Sequence, residues 1–152
     1  MKTIVVVDDH TLLSQAISGL VNSFEDFKVL YTSKHGQDFI DQLVFPDKIP
    51  EIVLMDVNMP IMDGIETTAY LKEHFPDIKV LALSVEAEER TILKMLRAGA
   101  KGYLLKDTEK SVLENALKEL STHGFYHTNT VTKLLVSSLD VDNALALKER
   151  EI

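Results

Sequence analysis

The sequence predicts an open, doubly wound α/β domain, five βα units around a parallel sheet. Three observations predict it. Short strand-like runs recur five times, and the first, Thr3 to Val7, is branched and apolar at almost every position rather than alternating, as expected of a strand covered on both faces. Between them apolar residues return at helical spacing, the stripe of an amphipathic helix. The two patterns alternate strictly along the chain, which requires right-handed crossovers and helices on both sides of a parallel sheet.

Each element follows from its residues. Thr3 to Val7 is the first strand, and Leu12, Leu13, Ala16, Ile17, Leu20, Val21 and Phe24 set a helix from about His10 to about Ser23. Phe27 to Thr32 is the second strand; Phe39, Ile40, Leu43 and Val44 mark a helix that stops before Pro46, whose ring cannot continue it. Ile52 to Met55 is the third strand and runs into Asp56. Asp63-Gly64 opens a helix carrying Ile65, Ala69, Leu71 and Phe75, with Pro76 just beyond its end. Lys79 to Leu83 is the fourth strand, Glu86 to Ala98 a helix stopped by Gly99, and Gly102 to Leu105 the fifth strand. Val112, Leu113, Ala116, Leu117 and Leu120 line a fifth helix. Thr130 to Leu139 predicts one more short helix, and Asp140 to Ala146 is small, polar and linker-like.

Composition narrows the function. The 152 residues suffice for one core, and with no cysteine there is no disulfide framework, no thiolate metal site and no thiol nucleophile. The formal charge of −8 opposes binding of a polyphosphate or an anionic membrane by this stretch itself. No apolar run approaches the roughly 18 residues of a membrane-spanning helix, and the N-terminal run is too short for a signal sequence. A soluble, cytoplasmic chain is expected.

In doubly wound sheets ligands bind beyond the carboxyl ends of the strands. The residues there are Asp8-Asp9, Asp56, Ser84 and Lys106. Three crowded carboxylates raise one another's pKa or recruit a cation, and an oxygen set of this kind suits Mg2+. With Asp56 as nucleophile toward a phosphoryl group, the Lys106 ammonium and the Ser84 hydroxyl are the groups needed to neutralise the transferring oxygens. Taken singly, an Asp after a strand is a turn former or cap, Lys106 a solvated charge and Ser84 a loop hydroxyl. Compatible chemistry at four of five strand ends favours the site.

Other residues read more plainly. His10, His35, His74, His123 and His127 lack ligand-like spacing and are expected to be solvated or capping. Asp63-Gly64 reads as a cap or turn, although a glycine also admits close backbone approach. Tyr103 is balanced between a core aromatic with a wet hydroxyl and a mobile reporter of the site.

Asp8-Asp9, the stretch Met55 to Gly64, the strand end Ala82-Leu83-Ser84, and Ala98 to Asp107 resemble receiver domains of two-component response regulators. The resemblance covers about the first 122 residues; details at Gly102 to Asp107 and at Leu147 to Glu151 look like the NarL/FixJ subgroup, in which a similar Leu-x-x-Arg-Glu segment opens a LuxR-type helix-turn-helix domain. It implies a flavodoxin-like receiver fold with strand order 2-1-3-4-5. It divides the chain into a receiver (1–122), an extra helix and interdomain linker (123–146) and the start of a truncated DNA-binding domain (147–152).

It further implies that Asp56 accepts phosphate from a sensor histidine kinase or phosphotransfer protein. Asp8, Asp9, Asp56 and the backbone carbonyl of Asn58 hold Mg2+. Lys106 bridges Asp56 and then a phosphoryl oxygen, Ser84 closes on the phosphate, and Tyr103 turns inward as Ser84 moves. Asn58 and Glu86, flanking the phosphate entry, are expected to tune the lifetime of the mixed anhydride. The parent regulator would bind DNA through its further domain, with possible homodimerisation on phosphorylation. Asp107 stands after Lys106 where many receivers have proline, so a trans peptide is expected. A phosphohydrolase acting on an outside substrate needs a second Asp two residues after the nucleophile, where this sequence has Asn58, and the intact acidic set argues against a pseudo-receiver. The chain is therefore expected to catalyse only its own phosphorylation and dephosphorylation.

Overall fold

In a computed structural model of the chain, residues 1–85 and 88–138 are described. Five strands, β1 (Lys2–Val7), β2 (Phe27–Ser33), β3 (Ile52–Asp56), β4 (Lys79–Ser84) and β5 (Gly102–Leu105), form one sheet in the order β2-β1-β3-β4-β5. All its pairings are parallel, with Val5 opposite Val53, Met55 opposite Ala82 and Ser84 opposite Leu105. The expected fold and strand order are both present. Helices α1 (Thr11–Ser23), α2 (Gly36–Gln42), α3 (Gly64–His74), α4 (Glu89–Ala98) and α5 (Lys110–His123) cover it.

Successive side chains of a strand point to opposite faces, and the core divides accordingly. Ile4, Val6, Leu54 and Leu81 pack with Ile17 and Val21 of α1 and with Leu113, Ala116, Leu117 and Leu120 of α5. Val5, Val7, Val53, Met55 and Ala82 pack with Phe39 of α2, Leu71 of α3 and Ile92 and Met95 of α4. Buried on both faces, β1, β3 and β4 are apolar along most of their length, whereas the edge strand β2 exposes Lys28 and Thr32.

Several helical details depart from the periodicity. On α3 the inward residues are Thr67, Thr68 and Leu71, while Ala69 is exposed. Thr67 is tolerated there because its hydroxyl donates to Asp63 O at 2.6 Å. Leu12, expected on the inner stripe of α1, is 82% exposed, and Ser14, Ile17 and Val21 form the buried face instead. The second helix ends at Gln42, and Pro46 instead opens a 3-10 turn over Pro46–Lys48. Described α4 begins at Glu89; Glu86 lies outside the described residues.

Beyond α5, Gly124 takes a left-handed conformation (φ 85°) that stops the helix and turns the chain back. Tyr126 then forms a single parallel bridge to Gly102 beside β5, its N–H donating to Lys101 O at 2.7 Å. A helix follows over 129–138, as expected, with the Thr128 hydroxyl accepting from Val131 N–H in its first turn. Val131 is buried in the α2–α4 side of the core, and Leu134 and Leu135 pack against it. The linker-like stretch from Asp140 and the segment 147–152 lie outside the described residues. Among the described residues no helix is long and apolar enough to cross a membrane and no peptide bond is cis.

Candidate functional site

The polar residues collect where β1, β3 and β5 end. Asp8 follows β1 directly; its N–H continues the ladder to Ser33 O at 2.9 Å, and the residue is only 3% exposed. Asp56 is the last residue of β3 and equally buried. Gly64 fixes it from behind. A Cβ at position 64 would lie 2.2 Å from Asp56 O and 2.9 Å from Val57 Cα, so α3 reaches this close to the strand end only through glycine. Asp63 caps the same helix, its carboxylate accepting from Glu66 N–H at 2.9 Å. Both roles weighed for Asp63-Gly64 are thus present.

Lys106 follows β5, and its N–H bonds Ser84 O at 2.8 Å, which ties β5 to the end of β4. Its ammonium Nζ lies 2.9 Å from Asp8 Oδ2 and 3.1 Å from Asp56 Oδ1, with the side chain 5% exposed. It therefore bridges both carboxylates and not Asp56 alone. Asp56 Oδ2 is buried with no hydrogen-bond partner. An unpartnered, buried carboxylate oxygen beside two further carboxylates is the donor set a hard cation takes, so these residues fit an oxygen-liganded divalent ion.

The charges act on one another. Burial pushes the Asp56 carboxyl up, the charge of Asp8 pushes it further, and Lys106 only partly offsets both, leaving it at about 6. Asp8 is also penalised by burial, but the His10 N–H and the Lys106 ammonium outweigh that penalty and hold it below the usual carboxylate range. Burial acts to lower Lys106, yet its two carboxylate partners prevail and raise it, so the ammonium stays charged. One carboxylate is held firmly ionised and the other is left poised.

Of the residues expected at the site, Asp8, Asp9, Asp56 and Lys106 meet directly, and Ser84, 2% exposed, stands on the same rim through its backbone bond to Lys106. Asn58 lies on the exposed loop two residues beyond Asp56. Tyr103 is buried, opposite Ala82 across β4 and in the same core cluster as Ile92 and Val131. His10 was missed. It is the N-cap position of α1 without a side-chain capping bond, and its Nδ1 lies 3.0 Å from Asp8 Oδ1 and 3.5 Å from Asp9 Oδ1. A local signal existed: an Asp side chain commonly accepts the N–H two residues on, and Asp8 Oδ1 accepts His10 N–H at 2.9 Å.

A five-stranded parallel sheet in this order, with an acidic pocket of Asp8, Asp9 and Asp56 braced by a lysine after the last strand, defines a receiver domain. Residues 4–118 match the response regulator receiver domain family, and the chain belongs to it. Its relatives are regulators of the NarL and LuxR type. It is 33% identical over 133 residues to the transcriptional regulatory protein DegU of Brevibacillus brevis, covering 88% of this chain and 56% of that protein. It is 31% identical over 150 residues to the nitrate/nitrite response regulator protein NarL of Escherichia coli K12, covering 99% and 68%. Among solved structures, the signal receiver domain of the response regulator NarL from Mycobacterium tuberculosis superposes with a TM-score of 0.72 at 25% identity, over 78% of this chain and 94% of that one. The chain thus spans little more than half the length of the DegU relative.

Proposed function

We propose that this chain is a phosphorylation-controlled receiver in which Asp56 takes a phosphoryl group from a phosphohistidine on a sensor histidine kinase or phosphotransfer protein. The observation that carries the reading is the Asp56 carboxylate, buried, with one oxygen on the Lys106 ammonium and the other unpartnered. Ionised above about pH 6, it is a desolvated nucleophile. An Asp56 oxygen forms the new bond to phosphorus as the phosphohistidine N–P bond breaks, and the imidazole leaves with the electron pair. Hydrolysis of the acyl phosphate returns the carboxylate and inorganic phosphate. Asp8, Asp9, Asp56 and the Asn58 carbonyl are the groups that would hold Mg2+, which when bound supplies positive charge against the transferring oxygens.

Lys106 neutralises a phosphoryl oxygen once the phosphoryl group has taken up part of the Asp56 charge, and Ser84 donates its hydroxyl to another. Tyr103 lies one layer behind, where a shift of the β4 end is transmitted to α4 through Ile92. Asn58 and Glu86 tune the lifetime of the acyl phosphate. The chain acts on no outside substrate; it promotes only its own phosphorylation and hydrolysis, in the cytoplasm. The receiver comprises residues 1–122, followed by a helix and linker to 146 and the opening of a LuxR-type DNA-binding domain at 147–152. Phosphorylation favours pairing with a second copy and switches the output of the parent transcriptional regulator.

Incubation with acetyl phosphate tests this by intact mass and borohydride trapping. One phosphoryl group is expected on Asp56, only with Mg2+ present, and none in Asp56→Asn. Label persisting in that variant removes Asp56 from the chemistry.

A further inference from the structure

The segment after α5 returns to the side of β5 that no other strand occupies. Gly124 turns the chain, and Tyr126 N–H then donates to Lys101 O at 2.7 Å as Tyr126 bridges Gly102. The approach is tight enough to restrict the residue opposite. A Cβ on Gly102 would lie 2.8 Å from Tyr126 O, 2.9 Å from Leu81 Cδ1 and 3.3 Å from Tyr126 Cβ. The helix over 129–138 is held to α4: Val131 is buried in the cluster that contains Ile92 and Tyr103, and the Arg97 guanidinium donates to the Ser138 hydroxyl. One segment thus ties the last strand to the fourth helix.

The tie is slight. Val131 is the one fully buried side chain of residues 125–138, whereas α5 buries Leu113, Ala116, Leu117 and Leu120. A cavity of about 310 Å³ remains between Tyr103, Ile92 and Val112 on the domain and Tyr126, Thr130 and Val131 on the segment. Side chains facing unfilled space lose the contacts that hold a well-packed core. An element docked through so few buried groups opens at a lower free energy than the domain unfolds.

We propose that residues 125–138 are a latch across α4 and the β5 edge that opposes phosphorylation of Asp56 and gives way when the site is filled. This rests on reading Asp56 as the phosphoacceptor. Ser84 ends β4 and Lys106 follows β5, joined by the bond from Lys106 N–H to Ser84 O, and Tyr103 lies opposite Ala82 between the same strands. A pull on Lys106 or Ser84 from a phosphoryl oxygen therefore reaches Tyr103 through β5 and α4 through the end of β4. The latch is fastened to both, at Gly102 and at Ile92 and Arg97, so the two can shift relative to one another only by straining or releasing it. Such coupling is reciprocal: if filling the site loosens the latch, loosening the latch favours filling the site by the same factor.

The test is a calorimetric titration of the whole chain with beryllium trifluoride and Mg2+, an analogue of the bound phosphoryl group, together with amide hydrogen exchange. On addition of the analogue, exchange at Tyr126 and Val131 is expected to quicken, while that at Leu117 and Leu120 of α5 stays as it was. Leu135 packs half-buried against the core, and Leu135→Asp should loosen the latch, tighten binding of the analogue about fivefold and speed labelling by acetyl phosphate. Val131→Asp should do the same more strongly; circular dichroism verifies the fold of each, and Leu135→Asp carries the test if Val131→Asp does not fold. Latch exchange unchanged with the analogue bound, or affinity unchanged or weakened in Leu135→Asp, overturns the latch and leaves Asp56 as the phosphoacceptor. A wild type that neither binds the analogue nor takes label from acetyl phosphate overturns that reading and the latch with it.

Discussion

Leu117 and Leu120 of α5 are wholly buried in one apolar cluster with Ile4, Val6 and Leu54 of the sheet. Two residues further along β1 and β3, Asp8 and Asp56 are buried almost as deeply, at 3% exposure each, with one ammonium between them. The same two strands therefore supply stability over most of their length and an unfavourable concentration of charge at their ends. Aliphatic burial contributes about 25 cal/mol for each Å² removed from water, and crowded carboxylates work against it. The rim persists because the sheet behind it is stable without it, which leaves the rim free to gain when a cation or a phosphoryl group arrives.

The largest expected effect breaks the stable side. Leu117→Ala should lose about 2–5 kcal/mol, seen as a lower urea midpoint at unchanged slope, while the fraction still folded takes up phosphate as before. Loss of labelling in the folded fraction would mean that face and rim are not separable.

The next effect has the opposite sign. The Asp56 carboxyl titrates at about 6 in the fold against an ordinary value of 3.8, so the native state holds that proton more tightly than the unfolded chain. Stability therefore falls as pH rises from 3.8 to about 6, and the loss is in full force above that. Asp56→Asn removes it, and the metal-free variant should be more stable by about 2–3 kcal/mol at pH 7.5, with the gain fading toward pH 4. Denaturant unfolding at the two pH values reads this directly; a variant no more stable than the wild type would erase the contrast between face and rim. Asp8 is the counterpart: its depressed carboxyl adds stability above the ordinary carboxylate range, lost as pH falls through its lowered value.

The smallest effect lies on the boundary between the two regions. Gly64→Ala sets a methyl 2.2 Å from Asp56 O, and the backbone must give way at a cost of about 1–3 kcal/mol. Because the displaced residue is the proposed phosphoacceptor, labelling should slow as well. A variant that loses stability at an unchanged labelling rate would show that the strand end is not held from α3.

Strand and helix types were legible in the sequence because the period of apolar residues is local, and continuous rather than alternating runs identify strands covered twice. The placement of the rim residues was legible for the same reason: Asp8, Asp56, Ser84 and Lys106 sit at strand ends, and a parallel sheet brings such ends together whatever its detailed packing. Registration between elements was not legible. That Thr67 and Thr68 turn inward while Ala69 faces out depends on how α3 is rotated over the sheet, and α3 is set by the close contact of Gly64 with the Asp56 backbone.

The sequence by itself determined which polar residues stand at strand ends and the alternation that brings them to one edge, since both depend on spacing along the chain. Only the tertiary structure decided that one lysine serves two carboxylates, that His10 joins them, and that Tyr103 is closed in beside Val131 from a helix beyond the fifth unit. Those are contacts between segments far apart in sequence or across a turn, where a shift of an ångström or two changes the partner, and no periodicity encodes a distance of that kind.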